Sequence, residues 1–340
     1  MSGAVWITGL PGTGRSDVAH VAVEALGAAD HPVELLELCE IRRVVTPRPS
    51  RSAAERELVY RALVFVASAL AEAGIPVVID AAAPRRAWRD LARAVISRFA
   101  EVELTIQGEM PPTSEPYEPA LTPELVIDTT QEPPRIAAAR IANLVAAWPC
   151  APRPPADAGC VVWLTGLPGS GKTTIASLAA QALTGRGAPV RIVDFADVLG
   201  FVADRSWSLL AEDIAYRTLI YTAKRLSAAG VAVIVDATAP SRTWRELARE
   251  TIGRFAEVQL VCPRTICSGR ERVVRWQLEG CAHRRGASVP AAGPEIALAY
   301  EYALCPEVTI YTDVEDPWSA AETVLRLVLR VRAGGTELVA

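Results

Sequence analysis

The chain has 340 residues, 51% of them apolar and 22% charged, and a formal net charge of −4. That length suits two ordinary domains, and the composition excludes a disordered chain, while the slight acidity gives no general reason to bind nucleic acid or an anionic membrane. No apolar run reaches the ~18 residues of a membrane span, and the seven scattered cysteines contain no C-x-x-C pair, so the expectation is a soluble cytoplasmic protein with reduced thiols.

In chain order, AVWITG (4–9) reads as a buried strand that runs into the glycine-rich loop GLPGTGRSD (9–17). VELLEL, PVVIDA, VELTI and ELVID follow as further strands of the first half. The proline-rich stretch WPCAPRPPADAG (148–159) prevents helix continuation and shows no apolar period, as a linker would. The plan then starts again. VVWLTG, VRIVDF, VAVIVDA, VQLVC and VTIYT read as strands, and KTTIASLAAQALTGRG, LLAEDIAYRTLIYTAKRLSAAG and SRTWRELARETIGRF as helices. IPVVIDAAAPRRAWRDLARAVISRFAEVEL (75–104) aligns with VAVIVDATAPSRTWRELARETIGRFAEVQL (231–260), so the two halves are a tandem duplication. The spacing predicts domains at 1–147 and 160–333, separated by the linker 148–159. Each is an α/β fold with a mainly parallel sheet and helices on both faces.

The second loop, GLPGSGKTT (166–174), fits the P-loop spacing G-x-x-x-x-G-K-[ST]. Glycines there let successive backbone N–H groups converge on phosphate oxygens, and the following helix adds its positive end. Gly166, Leu167, Pro168, Gly169, Ser170, Gly171, Lys172, Thr173 and Thr174 are therefore the nucleotide-binding candidates. The predicted fold is two tandem P-loop NTPase domains, and ATP and Mg²⁺ are the expected cofactors of the second. Lys172 can reach the β- and γ-phosphates, and the Thr173 hydroxyl can hold Mg²⁺. Asp236, closing VAVIVD, stands where a Walker-B-type acid would sit and hold Mg²⁺ through water. Asp194 and Asp197, at and beyond the end of RIVD, could orient or deprotonate an acceptor hydroxyl. Each of these acids has a second reading as a helix cap or a solvated loop acid. Arg242 opens a helix facing the substrate side, and Arg270, Arg272 and Arg275 lie on a candidate lid helix. Trp207, Trp244 and Trp276 read as packing residues.

The second half resembles the adenylylsulfate (APS) kinases through GLPGSGKTT, IVDFAD, VIVDATAPSRTWRELAR and FAEVQLVCP with Cys267. The first half shares EPYEPALTPELVIDT (115–129) with that family's Tyr-Glu-Pro and last strand. The resemblance implies a kinase that passes the γ-phosphoryl group of ATP to a hydroxyl of APS or a related small metabolite. It also leaves room for a homodimer or a pseudo-dimer of the two halves. Phe195, Ala196 and Leu199 stand where the family has a glycine, its second aspartate and an arginine. The family's Asn-Ile-Arg-Arg appears as Asp213-Ile214-Ala215-Tyr216, and its Asp-Pro-Lys-Gly-Leu-Tyr and Phe-Thr-Gly elements are absent. Those departures leave a different hydroxylated acceptor, or a nucleotide-binding scaffold without turnover, as alternatives. In the first loop Arg15 replaces the lysine and Asp17 the second threonine, and no arginine-bearing lid helix fits before PYEP. A wide planar guanidinium does not substitute for a compact ammonium, so the first half reads as catalytically silent.

Overall fold

The computed structural model describes residues 2–107, 116–148, 159–204, 207–271 and 299–334. Its first half contains β1 (Ala4–Gly9), α1 (Arg15–Ala28), β2 (Glu34–Glu37), α2 (Leu38–Val45), α3 (Ala53–Glu72), β3 (Val77–Asp80), α4 (Arg86–Val95), β4 (Phe99–Thr105), β5 (Leu125–Asp128) and α5 (Pro134–Ala146). The second contains β6 (Cys160–Thr165), α6 (Lys172–Gly185), β7 (Val190–Asp194), α7 (Phe195–Ala203), α8 (Leu209–Ala228), β8 (Ala232–Asp236), α9 (Arg242–Thr251), β9 (Phe255–Val261), β10 (Val308–Tyr311) and α10 (Pro317–Arg332). Residues 264–271 are also helical.

Each half forms a five-stranded sheet, in the orders β2-β3-β1-β4-β5 and β7-β8-β6-β9-β10. Every pairing is parallel. Parallel strands covered on both faces must be apolar on both, and β1 and β6 are buried at every position. Val5 and Ile7 join Val18, Ala22 and Ile141 in one core between β1, α1 and α5. On the opposite face Trp6 donates its indole N–H to Ala81 O at 2.9 Å, and Trp88 of α4 stacks on Tyr60 of α3 at 3.8 Å. In the second sheet Val162 and Leu164 pack with Ile175 of α6 and Val324 of α10. Thr165 faces the other way, toward Arg245 of α9.

The chain packs as two compact units that divide between Arg153 and Pro154, inside the proline-rich stretch, with one later segment assigned across that division. The first unit gathers Met1–Arg153 with Asp197–Arg225, and the second Pro154–Ala196 with Leu226–Ala340. Nearly all of α7 and most of α8, which follow β7 in sequence, therefore pack with the first half. Within that unit the Phe65 and Phe201 rings lie 5.7 Å apart, and Arg225 bonds Glu34 and the Leu35 carbonyl, both at 2.7 Å. α7 carries no sequence signal that separates it from the strand before it. FADVLGFVA is apolar almost throughout and holds a glycine, which hides a helical period.

Candidate active site

Both P-loops leave the C-terminal end of the central strand of their sheet, where chain connections depart in opposite directions and open a crevice. In the second unit α6 starts on Gly171 at φ 96°, and Gly169 sits at φ 76°. A side chain at Gly169 would press into the Cys267 carbonyl, so glycine is demanded there twice over. The sequence after the loop is a helix from its first residue, which aims the unpaired N–H groups of that first turn into the crevice.

Lys172 is 8% exposed and donates from Nζ to the Gly166 and Leu167 carbonyls, each at 3.1 Å. Burial holds its ammonium below the usual lysine range, against the opposing pull of Asp236, Cys267 and Asp194. Thr173 Oγ1 donates to Asp236 Oδ2 at 2.5 Å, and Asp236 is 4% exposed. Asp194 and Asp236 are direct partners across the β7–β8 ladder, so two carboxylates meet at one sheet end. Asp194 Oδ1 also accepts the Ala196 N–H at 2.6 Å, capping the first turn of α7. The structure thus brings together Lys172, Thr173, Asp236 and Asp194. Gly166 to Thr174 form the loop and first helical turn between them.

The remaining candidates sit differently. Asp197 is exposed on α7. Arg242 is engaged with the returning chain: its N–H bonds Glu301 at 2.8 Å, and its guanidinium approaches the Tyr302 carbonyl at 3.5 Å. Arg270 folds back onto the Thr312 carbonyl at 2.7 Å. Arg272, Arg275 and Trp276 lie outside the described residues. Trp207 is 54% exposed, which corrects its reading as a packing residue; Trp244 is half-buried.

One network escaped sequence reasoning. Arg245, 1% exposed, bonds Thr165 Oγ1 at 2.9 Å and the Tyr300 hydroxyl at 3.1 Å, reaches the Glu301 carbonyl, and pairs with Glu257 at 3.2 Å. Burial pushes the Glu257 carboxyl above its ordinary range, against Arg245 and Arg249. Because Thr165 directly precedes Gly166, this cluster holds the root of the loop. Arg89 bonds Thr8, Ala83 and Glu118 and pairs with Glu101 at 2.8 Å in the same way. The signal available was the repeat itself, WRDLAR against WRELAR, in which the arginine survives in both copies.

The first loop keeps the backbone and changes the chemistry. Gly9, Gly12 and Gly14 have φ of 148°, 93° and 66°, close to the 153°, 76° and 96° of Gly166, Gly169 and Gly171. A cleft of about 370 Å³ is lined by Leu10–Asp17. Arg15 Nε, however, is paired with Asp80 Oδ1, and Arg15 also bonds the Gly9 carbonyl at 3.1 Å. Ser16 donates to the other Asp80 oxygen at 2.6 Å. The acid matching Asp236 is thereby joined to the residue that replaced the lysine.

A parallel sheet of this strand order, with a lysine-bearing loop at the switch point and two acids beside it, defines a P-loop kinase. The adenylylsulphate kinase family model matches residues 1–110 and 158–278, one stretch in each half. An adenylyl-sulfate kinase of Thermodesulfovibrio yellowstonii is 32% identical over 174 residues, covering 49% of this chain and 82% of that protein. A probable adenylyl-sulfate kinase of Archaeoglobus fulgidus is 31% identical over 151 residues, covering 41% of this chain and 94% of that protein. A solved structure of the Mycobacterium tuberculosis APS kinase in complex with AMPPNP and APS is similar at 26% identity, covering 53% of this chain and 99% of that one, with a TM-score of 0.42. The chain belongs to the adenylylsulfate kinase family, a class of ATP-dependent phosphotransferases with a hydroxyl acceptor. Among the described residues no helix is long and apolar enough to cross a membrane.

Proposed function

We propose that the second P-loop is the one working site and that it moves the γ-phosphoryl group of ATP to a hydroxyl of adenylyl sulfate. The observation that carries this reading is the contrast between the loops. Lys172 is held by carbonyls of its own loop, with Asp236 left to Thr173, whereas Arg15 is tied to Asp80. Lys172 binds the β- and γ-phosphates and stabilises the charge that builds on the transferring group. Asp194 accepts the proton of the attacking hydroxyl as its oxygen bonds to the γ-phosphorus, the bond to the β–γ bridging oxygen breaks, and ADP leaves.

Among the described residues no group of three or more His, Cys, Asp or Glu is placed to hold a metal ion. Mg²⁺ takes one or two protein oxygens and completes its shell with substrate phosphates and water. Thr173 and Asp236, hard oxygen donors 2.5 Å apart, would hold it, and it would supply charge neutralisation on the phosphates. Adenylyl sulfate is the acceptor of the curated relatives. A different small hydroxylated acceptor is the second reading, supported by Phe195, Ala196 and Leu199 at positions where the family pattern has glycine, aspartate and arginine. Steady-state ADP release with ATP, Mg²⁺ and a panel of sulfonucleotide and small-alcohol acceptors tests both. Acceptor-dependent release with adenylyl sulfate supports the first, release only with another acceptor supports the second, and release with none rejects the kinase reading.

A further inference from the structure

The half that lacks the P-loop lysine still makes one contact whose consequence reaches the working site. Arg61, on α3, donates from one guanidinium nitrogen to the Phe201 carbonyl at 3.2 Å and from the other to Asp204 at 2.6 Å. Its Nε is held by Glu57 at 3.1 Å, one helical turn away, and the side chain is 16% exposed. Phe201 and Asp204 mark the C-terminal end of α7, where carbonyls lack helical partners and a cation is favourable. The N-terminal end of that nine-residue helix is capped by Asp194, whose Oδ1 accepts the Ala196 N–H. α7 is therefore fastened at one end by a carboxylate of the candidate site and at the other by an arginine of the silent half. A helix transmits displacement along its axis because its ladder is stiff, so movement at the Phe201 end reaches the residue that caps the other.

We propose that Arg61 is a positioning residue for Asp194: by holding the C-terminal end of α7 it fixes the helix whose first turn orients the carboxylate that serves the acceptor. This rests on the reading of Asp194 as the base. It gives the first half a part in the reaction that needs no nucleotide of its own.

The test compares the full-length Arg61→Met, Arg61→Lys, Asp194→Asn and Arg61→Met/Asp194→Asn proteins with the parent. Each is assayed with ATP, Mg²⁺ and adenylyl sulfate, with thermal melting and backbone hydrogen exchange alongside. Met keeps the apolar stem and removes the donors. The expected result for Arg61→Met is a drop of about tenfold in kcat/KM for the acceptor, with an unchanged KM for ATP. Faster exchange at the first turn of α7, partial recovery in Arg61→Lys, and a double variant no worse than Asp194→Asn alone complete the expected pattern. Unchanged acceptor kinetics in Arg61→Met beside an impaired Asp194→Asn would overturn the positioning role and leave the base intact. Full activity of Asp194→Asn would overturn the base, and the positioning role with it. Losses that multiply in the double variant, or that affect ATP and acceptor equally in step with a lower melting temperature, would show that Arg61 acts on folding rather than through Asp194.

Discussion

Under the proposed function, Lys172 is a residue kept for chemistry at a cost to folding. Its ammonium is buried, and burial lowers its pKa despite Asp236 and Asp194 nearby. A lysine whose folded pKa lies below its unfolded value destabilises the fold at every pH where it is charged in both states. The penalty fades as pH rises through the folded pKa toward the unfolded one. Lys172→Met should therefore raise the melting temperature of the ligand-free protein by a few degrees at pH 7 and by less near pH 10. Melting curves at the two pH values check it, and a lower melting temperature for the variant at pH 7 would contradict it. Asp236→Asn tests a different bond. The amide still accepts from Thr173 but carries no charge toward a cation, so Mg²⁺-dependent turnover should fall by ~10²-fold or more. An unchanged Mg²⁺ titration of activity would remove Asp236 from the metal's surroundings. At this scale the P-loop was legible because its spacing is a geometric demand on the backbone. The Asp194–Asp236 pairing was not legible as a pair, since strand register joins residues 42 positions apart in sequence.

Among the elements, α4 and α9 carry the same buried arginine in both halves, although only one half keeps the lysine loop. A network retained on both sides of that difference belongs to the architecture: it ties the helix to the central strand and to the chain returning at Tyr117 or Tyr300. Arg245→Met should cost about 3 kcal/mol, because it removes the nearer of the two cations on buried Glu257 and leaves only Arg249 at 3.6 Å. Arg89→Met should cost a similar amount through Glu101. Denaturant unfolding of the two variants checks this, and losses below ~1 kcal/mol would place the arginines among the dispensable surface pairs. The strands were readable as short apolar runs and α9 as an amphipathic helix beginning after Pro240. α7 was not readable, because FADVLGFVA has a single charged residue, and its exposed positions are alanine, aspartate and glycine, so its sequence shows little periodic contrast.

For the whole molecule, the sequence places a boundary at the proline-rich stretch, while the packing carries α7 and most of α8 across it into the first unit. Repeat matching assigns helices by descent; packing assigns them by which apolar face they bury. Removing residues 1–147 should therefore strip the partners of Phe201 and Arg225 and leave a protein that aggregates or melts without a cooperative transition. A soluble fragment with a sharp transition and full activity would show that the second half folds alone. The central claim, one working loop beside a silent one, is tested most directly by acceptor-dependent ADP release from the Arg15→Lys/Lys172→Ala protein. In this variant the lysine has been moved from the second loop to the first. No turnover above the background of Lys172→Ala alone is expected, since Asp17 still stands in the first loop and the second has lost its cation. Robust turnover by the double variant would show the first half to be a dormant kinase rather than a silent one.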